Sequence, residues 1–381
     1  MNAPSAYAAQ DTRQAVQLVP RELLARSDRI LFIAHLALGD FTYLQNFFKA
    51  FSAAHPHLQV HLWVDEVRRT ADASQWESLR TYSLYDWVAA CPFFVKVYNR
   101  TYSPQVLAES IQQARQENYP VVVSLATLRP HQYARLARQI CPDGFVAGMT
   151  AKPSLLGMRH IPAWRKLDAR IPPYTVDQQQ PRHISAVYAD WFKQLFGLEV
   201  SVGQRFPFVD IPAAWRDYAV AQLEQWGFQD RSGKLVFINP FAKTRKRCWP
   251  LQRVTDLIAA MRQQPQWQNA CFIVNAMPHD VPKVRELLEA HQPHQTAVFS
   301  AQDNFFQLPA ILSECDLIIS VETAIMHLAN AVHVPVIALM RQKNPEWVPI
   351  DRQNSTVITA ARRRDWVDAV TVNQVMATLP N

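Results

Sequence analysis

"CDLIISVETAIMHLANAVHVPVIALM", residues 315–340, reads as strand, helix, strand in one short run. The apolar run Leu317-Ile318-Ile319 ends at Ser320, and "VPVIALM" (334–340) is a second strand-length apolar run. Neither alternates polar with apolar, so both belong to strands covered on two faces. Residues 323–331 between them have helical spacing. Two such strands joined by a helix run parallel, because the helix carries the chain back to the starting edge of the sheet.

The same order extends outward from this stretch. Upstream lie a helix over 212–227, strand "KLVFINP" (234–240), helix 251–263, strand "ACFIVNA" (270–276), helix 281–291, a short strand near 296–299 and helix 305–313. An earlier series has strand "RILFIAH" (29–35), helix 41–51, strand "LQVHLWV" (58–64), helix 75–90, strand "FFVKVYN" (93–99), helix 104–117 and strand "YPVVVSLA" (119–126). After residue 150 the pattern loosens into the proline-rich, polar stretch 171–183, followed by a helix over 184–197. The expectation is an α/β protein of two Rossmann-like domains whose parallel sheets face each other across a cleft. Its parts are a flexible tail 1–27, a first domain 28–200, a hinge 201–211 and a second domain 212–381. A last helix over 364–378 is expected to pack back on the first domain.

Hydrophobic residues make up 49% and charged residues 19%, as full cores in a globular protein require. No apolar run is long enough for a bilayer. Residues 1–27 hold no apolar segment of the kind a secretory signal needs. Five scattered cysteines without a C-x-x-C pattern favour a reducing cytoplasm. Glycine is scarce: 8 residues, with no G-x-G-x-x-G and no Walker A loop, which excludes those two nucleotide sites. A phosphate here has to be held by helix N-termini and basic side chains. The net charge of +7 is concentrated in residues 129–170, where eight Lys/Arg face only Asp143 and Asp168. That is either a solvated basic face or a surface for an anionic partner.

Ligands of open parallel sheets sit at the carboxyl ends of strands, and four strand-to-helix junctions carry chemistry. In "AHLALGDF" (34–41), Asp40 either caps a helix or serves as a general base. In "NPFAKTRKRCWP" (239–250), four cations in the five positions 243–247 crowd the start of a helix, which suits an anion. In "FIVNAMPHD" (272–280), Asp280 either caps a helix or binds a ribose diol. In the opening stretch Thr323 can cap its helix, Glu322 can accept from sugar hydroxyls, and His327 lies one turn beyond Thr323.

Taken in order, "RILFIAHLALGDF", "NPFAKTRKRCWPLQRV" and "SVETAIMHLANAVHVPVIAL" resemble the bacterial ADP-heptose heptosyltransferases of glycosyltransferase family nine. The resemblance covers about a sixth of the chain. It implies the two-domain GT-B fold and inverting transfer of a sugar from an ADP-heptose-like donor. It also implies an anionic glycan or glycolipid acceptor such as the lipopolysaccharide core, and work in the cytoplasm or at the cytoplasmic face of the inner membrane. Carried over by position, Asp40 is the base. The donor falls to Lys243, Thr244, Lys246, Arg247, Asp280, Glu322, Thr323, Ala324 and His327, with either Lys246 or Arg247 in the place of the family's phosphate-binding lysine. The acceptor falls to the basic segment, with Arg129, His131 and Lys152 as its candidates. Two positions depart from the family's D-T-G: Glu322 is one methylene longer, and Ala324 puts a methyl where glycine stands.

No Asp-x-Asp occurs, so neither a metal nor any other cofactor is expected, and the basic cluster takes over charge neutralisation. A chain that keeps the fold and only binds is the alternative that Glu322 and Ala324 support. A glycosyltransferase with another nucleotide-sugar donor or a protein acceptor is a further alternative. The basic segment lacks the patterns of a specific nucleic-acid binder.

Overall fold

The computed structural model describes residues 17–65, 68–151, 160–177, 180–228, 232–291 and 294–380. Two six-stranded sheets, every pair parallel, form the framework. The first contains β1 (Arg29–Ala34), β2 (Gln59–Val64), β3 (Lys96–Tyr98), β4 (Val121–Ser124), β5 (Phe145–Met149) and β6 (Ala169–Ile171). The second contains β7 (Leu235–Asn239), β8 (Cys271–Asn275), β9 (Thr296–Phe299), β10 (Leu317–Val321), β11 (Val336–Met340) and β12 (Ser355–Thr359). Their orders are β3-β2-β1-β4-β5-β6 and β12-β11-β10-β7-β8-β9. Each is a doubly wound sheet whose strand order reverses beside its first strand. The reversals fall between β1 and β4 and between β7 and β10; Asn239 closes β7, and Asp40 and Thr323 follow the ends of β1 and β10.

Burial on both faces explains the continuous apolar strands. Phe32 of β1 meets Phe48, Phe51, Phe192 and Phe196, with ring centroids 5.1–6.0 Å apart. Its neighbours Leu31 and Ile33 pack on the other face with Trp63 and Tyr133. One face of the second sheet, with Phe237, Ile273 and Ile318, joins the core that holds Phe32, so apolar packing runs through the seam between the domains. Trp87 of the first domain stacks on Phe305 of the second at 4.5 Å and 11°.

Several elements differ from the sequence expectation. The stretch 17–27 is not loose. Leu18 and Val19 donate backbone hydrogen bonds to Gln194 and Leu195, Val19 is fully buried, and Arg21–Arg26 is helical. Helix 75–90 is broken by the turn at Thr81-Tyr82 into Trp76–Arg80 and Ser83–Ala89. The strands β5, β6 and β12 and the helix Pro130–Ile140 stand where no element was expected. The helix expected over 364–378 is only Val372–Met376. It packs on Leu251–Arg262 of the second domain, not on the first. Val367, Val370 and Val375 are buried there, and Trp249 Nε1 donates to the carbonyl of Val370 at 2.8 Å. The connecting segment 201–211 is tied to the first domain: Asn46 donates to the carbonyl of Arg205 and Gln45 to that of Phe208.

Candidate active site

The two strand-end edges meet. The helix Leu38–Ala54 follows β1, the helix Ala324–Ala331 follows β10, and they touch across the seam. Tyr43 Oη lies 2.8 Å from His327 Nδ1, both groups buried. Burial pushes the Tyr43 hydroxyl up, so it keeps its proton. A methyl on Gly39 would stand 3.9 Å from the His327 ring, which places the "LGD" turn against the second domain.

Asp40 is at the third position of its helix, not at the cap. Its Oδ2 accepts from the N–H of Ala37 at 3.0 Å, and its Oδ1 accepts from Tyr188 Oη at 3.4 Å. The helix start and His35 hold a carboxylate pKa down, but burial outweighs them and the Asp40 pKa is raised. A raised value strengthens a base, so the capping position does not disable it.

On the facing edge, Asn239 ends β7 and donates to Ser320 Oγ and Thr323 Oγ1, each at 3.1 Å. Asn275, at the end of β8, donates to Asn239 Oδ1 at 2.9 Å. Thr323 caps its helix by accepting from Ile325 N–H at 3.3 Å. Half-buried Ala324 opens that helix. Lys243, Thr244, Arg245 and Lys246 are exposed on the turn after β7, and Arg247 turns inward with its Nε 3.5 Å from Glu322 Oε1. Lys246 Nζ lies 5.7 Å over the Trp366 ring. Asp280 pairs with its neighbour His279 at 3.2 Å. Among the described residues no group of three or more His, Cys, Asp or Glu converges to hold a metal.

The profile of glycosyltransferase family 9, the heptosyltransferases, matches residues 146–371. The chain belongs to this family. Among solved structures it is similar to a family 9 glycosyl transferase from Veillonella parvula (17% identity, TM-score 0.70, covering 92% of this chain and 95% of that one). It is also similar to Escherichia coli ADP-heptose lps heptosyltransferase II (14%, 0.63, 92% and 96%). A third is E. coli heptosyltransferase WaaC with ADP (15%, 0.61, 92% and 96%). No curated protein sequence matches. The sheets have the GT-B architecture of these structures, and the chain is a glycosyltransferase.

In this family 9 chain Glu322 is held by its own neighbours. Its oxygens accept from Arg341 Nε at 3.0 Å and Nη2 at 3.1 Å, and from Asn344 Nδ2 at 2.9 Å. The longer side chain at the departing position is thus absorbed by an arginine just beyond β11. His327 is turned into the domain seam, where burial and then the nearby His183 push its pKa down to about 3. Of the residues expected at an acceptor, exposed Arg129 stands at the N-cap position of the helix Pro130–Ile140 in left-handed conformation (φ 51°), and His131 stacks on His160 at 3.7 Å. Lys152 lies outside the described residues. Arg138 is structural: it binds Asp168 at 2.7 Å and the carbonyls of Cys141, Pro142 and Gly144.

Tyr43, Tyr188, Asn239, Asn275, Arg341 and Asn344 were not singled out from the sequence. Asn239 and Asn275 had a readable signal, since each is the polar residue closing an apolar strand at the edge that carries the chemistry.

Three histidines, His61 and His327 buried and His183 half-buried, set an acid limit. His61, His183 and His327 are pushed down to about 4, 4 and 3 by burial. His183 Nδ1 accepts from Ser185 N–H, so its proton sits on Nε2 and goes to the carbonyl of Val348 at 3.0 Å. Below about pH 6.5 the unfolded chain binds protons that these folded histidines refuse. Stability is expected to fall between pH 6.5 and 4, by up to about 1.4 kcal/mol per unit for each histidine. Urea midpoints at pH 7 and 5 check the direction; a midpoint that holds or rises at pH 5 contradicts it.

Proposed function

We propose that this glycosyltransferase transfers a heptose, with inversion, from an ADP-heptose-like donor to a hydroxyl of an anionic glycan such as the lipopolysaccharide core. The observation that carries this reading is the meeting of the two strand ends. A carboxylate of raised pKa on the first domain is held against an edge of the second domain lined with cations and a helix start. Inverting transfer needs that pair. Asp40 takes the proton of the acceptor hydroxyl as its oxygen bonds to the anomeric carbon. The bond from that carbon to the diphosphate oxygen breaks on the opposite side, and the negative charge of the departing nucleoside diphosphate grows. Arg247, Lys243, Arg245 and the start of the helix Ala324–Ala331 stabilise that charge from positions set before the reaction. Asp280 is assigned to the ribose. ADP as the nucleotude is supported by its presence with the similar WaaC structure.

Exposed Arg129, Arg135, Arg165, Lys166 and Arg170 support an anionic acceptor, presented at the cytoplasmic face of the inner membrane. No helix among the described residues is long and apolar enough to cross a membrane.

Calorimetric titration with ADP, UDP and GDP without added metal tests the donor. ADP is expected to bind best. Arg247→Ala is expected to weaken it about ten-fold or more, the worth of a charge-assisted hydrogen bond. Preference for UDP or GDP replaces the donor. No binding by any of the three favours a chain that keeps the fold without turnover.

A further inference from the structure

The turn after β11 holds a carboxyl oxygen with no partner among the described residues. Glu346 lies in the short turn Pro345–Trp347 and is 8% exposed, and its Oε2 makes no hydrogen bond among the described residues. The turn is fastened on every side. Asn344 donates to Glu322, Trp347 N–H donates to the carbonyl of Asn344 at 3.0 Å, and the Trp347 ring lies 6.0 Å from His327. Val348 accepts from His183 of the first domain. That histidine caps the helix Ile184–Phe196, whose Tyr188 reaches Asp40. Glu346 is therefore placed in the domain seam, on the donor side, by the same contacts that join it to the base.

A second unpartnered oxygen comes from the first domain. Tyr174 Oη is buried and makes no hydrogen bond among the described residues. Burial first, and then the charge of Glu346, push its pKa up. A buried polar atom without a partner costs stability, and native proteins keep few of them without a reason. Here there are two such atoms, one from each domain, and Tyr174 packs against the core that runs through the seam.

We propose that Glu346, with Tyr174 across from it, binds the hydroxyls of the transferred sugar, taking over the part that Glu322 gives up to Arg341. The assignment rests on the nucleotide-sugar reading above and names the recognition group within it. A carboxylate oxygen accepts from a sugar hydroxyl, and a phenol both accepts and donates, so the pair suits a polyhydroxylated ring. Hydroxyls arriving at Oε2 replace the hydration that burial removed. Glu322 makes no such offer, because Arg341, Asn344 and Arg247 already surround it.

The test is titration of the full chain with ADP and with ADP-heptose, because the ratio of the two dissociation constants isolates the sugar. In the parent protein ADP-heptose is expected to bind more tightly than ADP. In Glu346→Ala and in Tyr174→Phe that advantage is expected to shrink, roughly ten-fold for the carboxyl, with ADP affinity unmoved. Glu346→Gln keeps the volume and guards against a folding defect. It should leave the melting temperature of the ligand-free protein level or higher, because no bond to Oε2 is lost. An unchanged ratio in Glu346→Ala and Glu346→Gln overturns the assignment. So does a joint rise of both constants with a fallen melting temperature, which marks a structural role. A parent chain that binds ADP but gains nothing from the heptose overturns it too, and leaves the nucleotide reading standing. A parent that binds neither removes both.

Discussion

Asp40→Asn is expected to lower kcat by two to four orders of magnitude, the usual worth of a positioned general base, with ADP affinity unchanged. The substitution isolates the proton. Asparagine keeps an oxygen for the Ala37 N–H, so the start of the helix Leu38–Ala54 stays satisfied. The melting temperature is expected to hold or rise slightly. The carboxyl pKa is raised by folding, so the charged form is the disfavoured one above that pKa, and removing the charge relieves the fold at neutral pH. The pH profile of the parent follows from the same direction. With Asp40 as the proposed base, activity is expected to be lost as pH falls through a pKa higher than that of an ordinary aspartate. Tyr188→Phe removes a donor that holds this pKa down and should move the acidic limb upward. Near-parental kcat in Asp40→Asn would leave the residue as a helix-start group and nothing more.

What the sequence made legible follows the range of the interactions. The strands "LVFIN", "CFIVN", "LIISV" and "VIALM" were readable because burial on both faces writes an apolar run of at least three residues into each. The strand "FVAGM" was not readable. Gly148 weakens the signal and is there because a methyl would come to 3.0 Å from Leu167. The three-residue β6 keeps Arg170 exposed between two buried residues at the sheet edge. Val19 looked like part of a polar tail because its hydrogen-bonding partner, Leu195, is remote in the chain. The site divides in the same way. Thr323 is local chemistry at a strand end. Tyr188 and Tyr43 enter through contacts spanning 148 and 284 residues, which no local pattern encodes. Glu322 shows the limit most clearly: its position was readable, but Arg341 had to be seen beside it before its role changed.

Arg341→Met is expected to cost about 3–5 kcal/mol of folding stability, the penalty for leaving a buried charge without its main partner. Glu322 and Arg341 are 3% and 9% exposed, and the guanidinium contacts both carboxylate oxygens. Asn344 and the more distant Arg247 remain, but neither replaces a buried bidentate pair. Adding Glu322→Gln in the same chain removes the stranded charge and is expected to recover most of the loss, because an apolar or neutral replacement of a buried pair is close to neutral overall. Urea unfolding of the four proteins, with the slope held constant, gives the coupling directly. The same four proteins separate packing from recognition. If Glu322 is held for the fold and to position Arg247, the double variant keeps the extra affinity of ADP-heptose over ADP even where ADP itself binds less tightly. If that extra affinity disappears with Glu322 while stability returns, the carboxylate does touch the sugar, and the arginine serves to aim it.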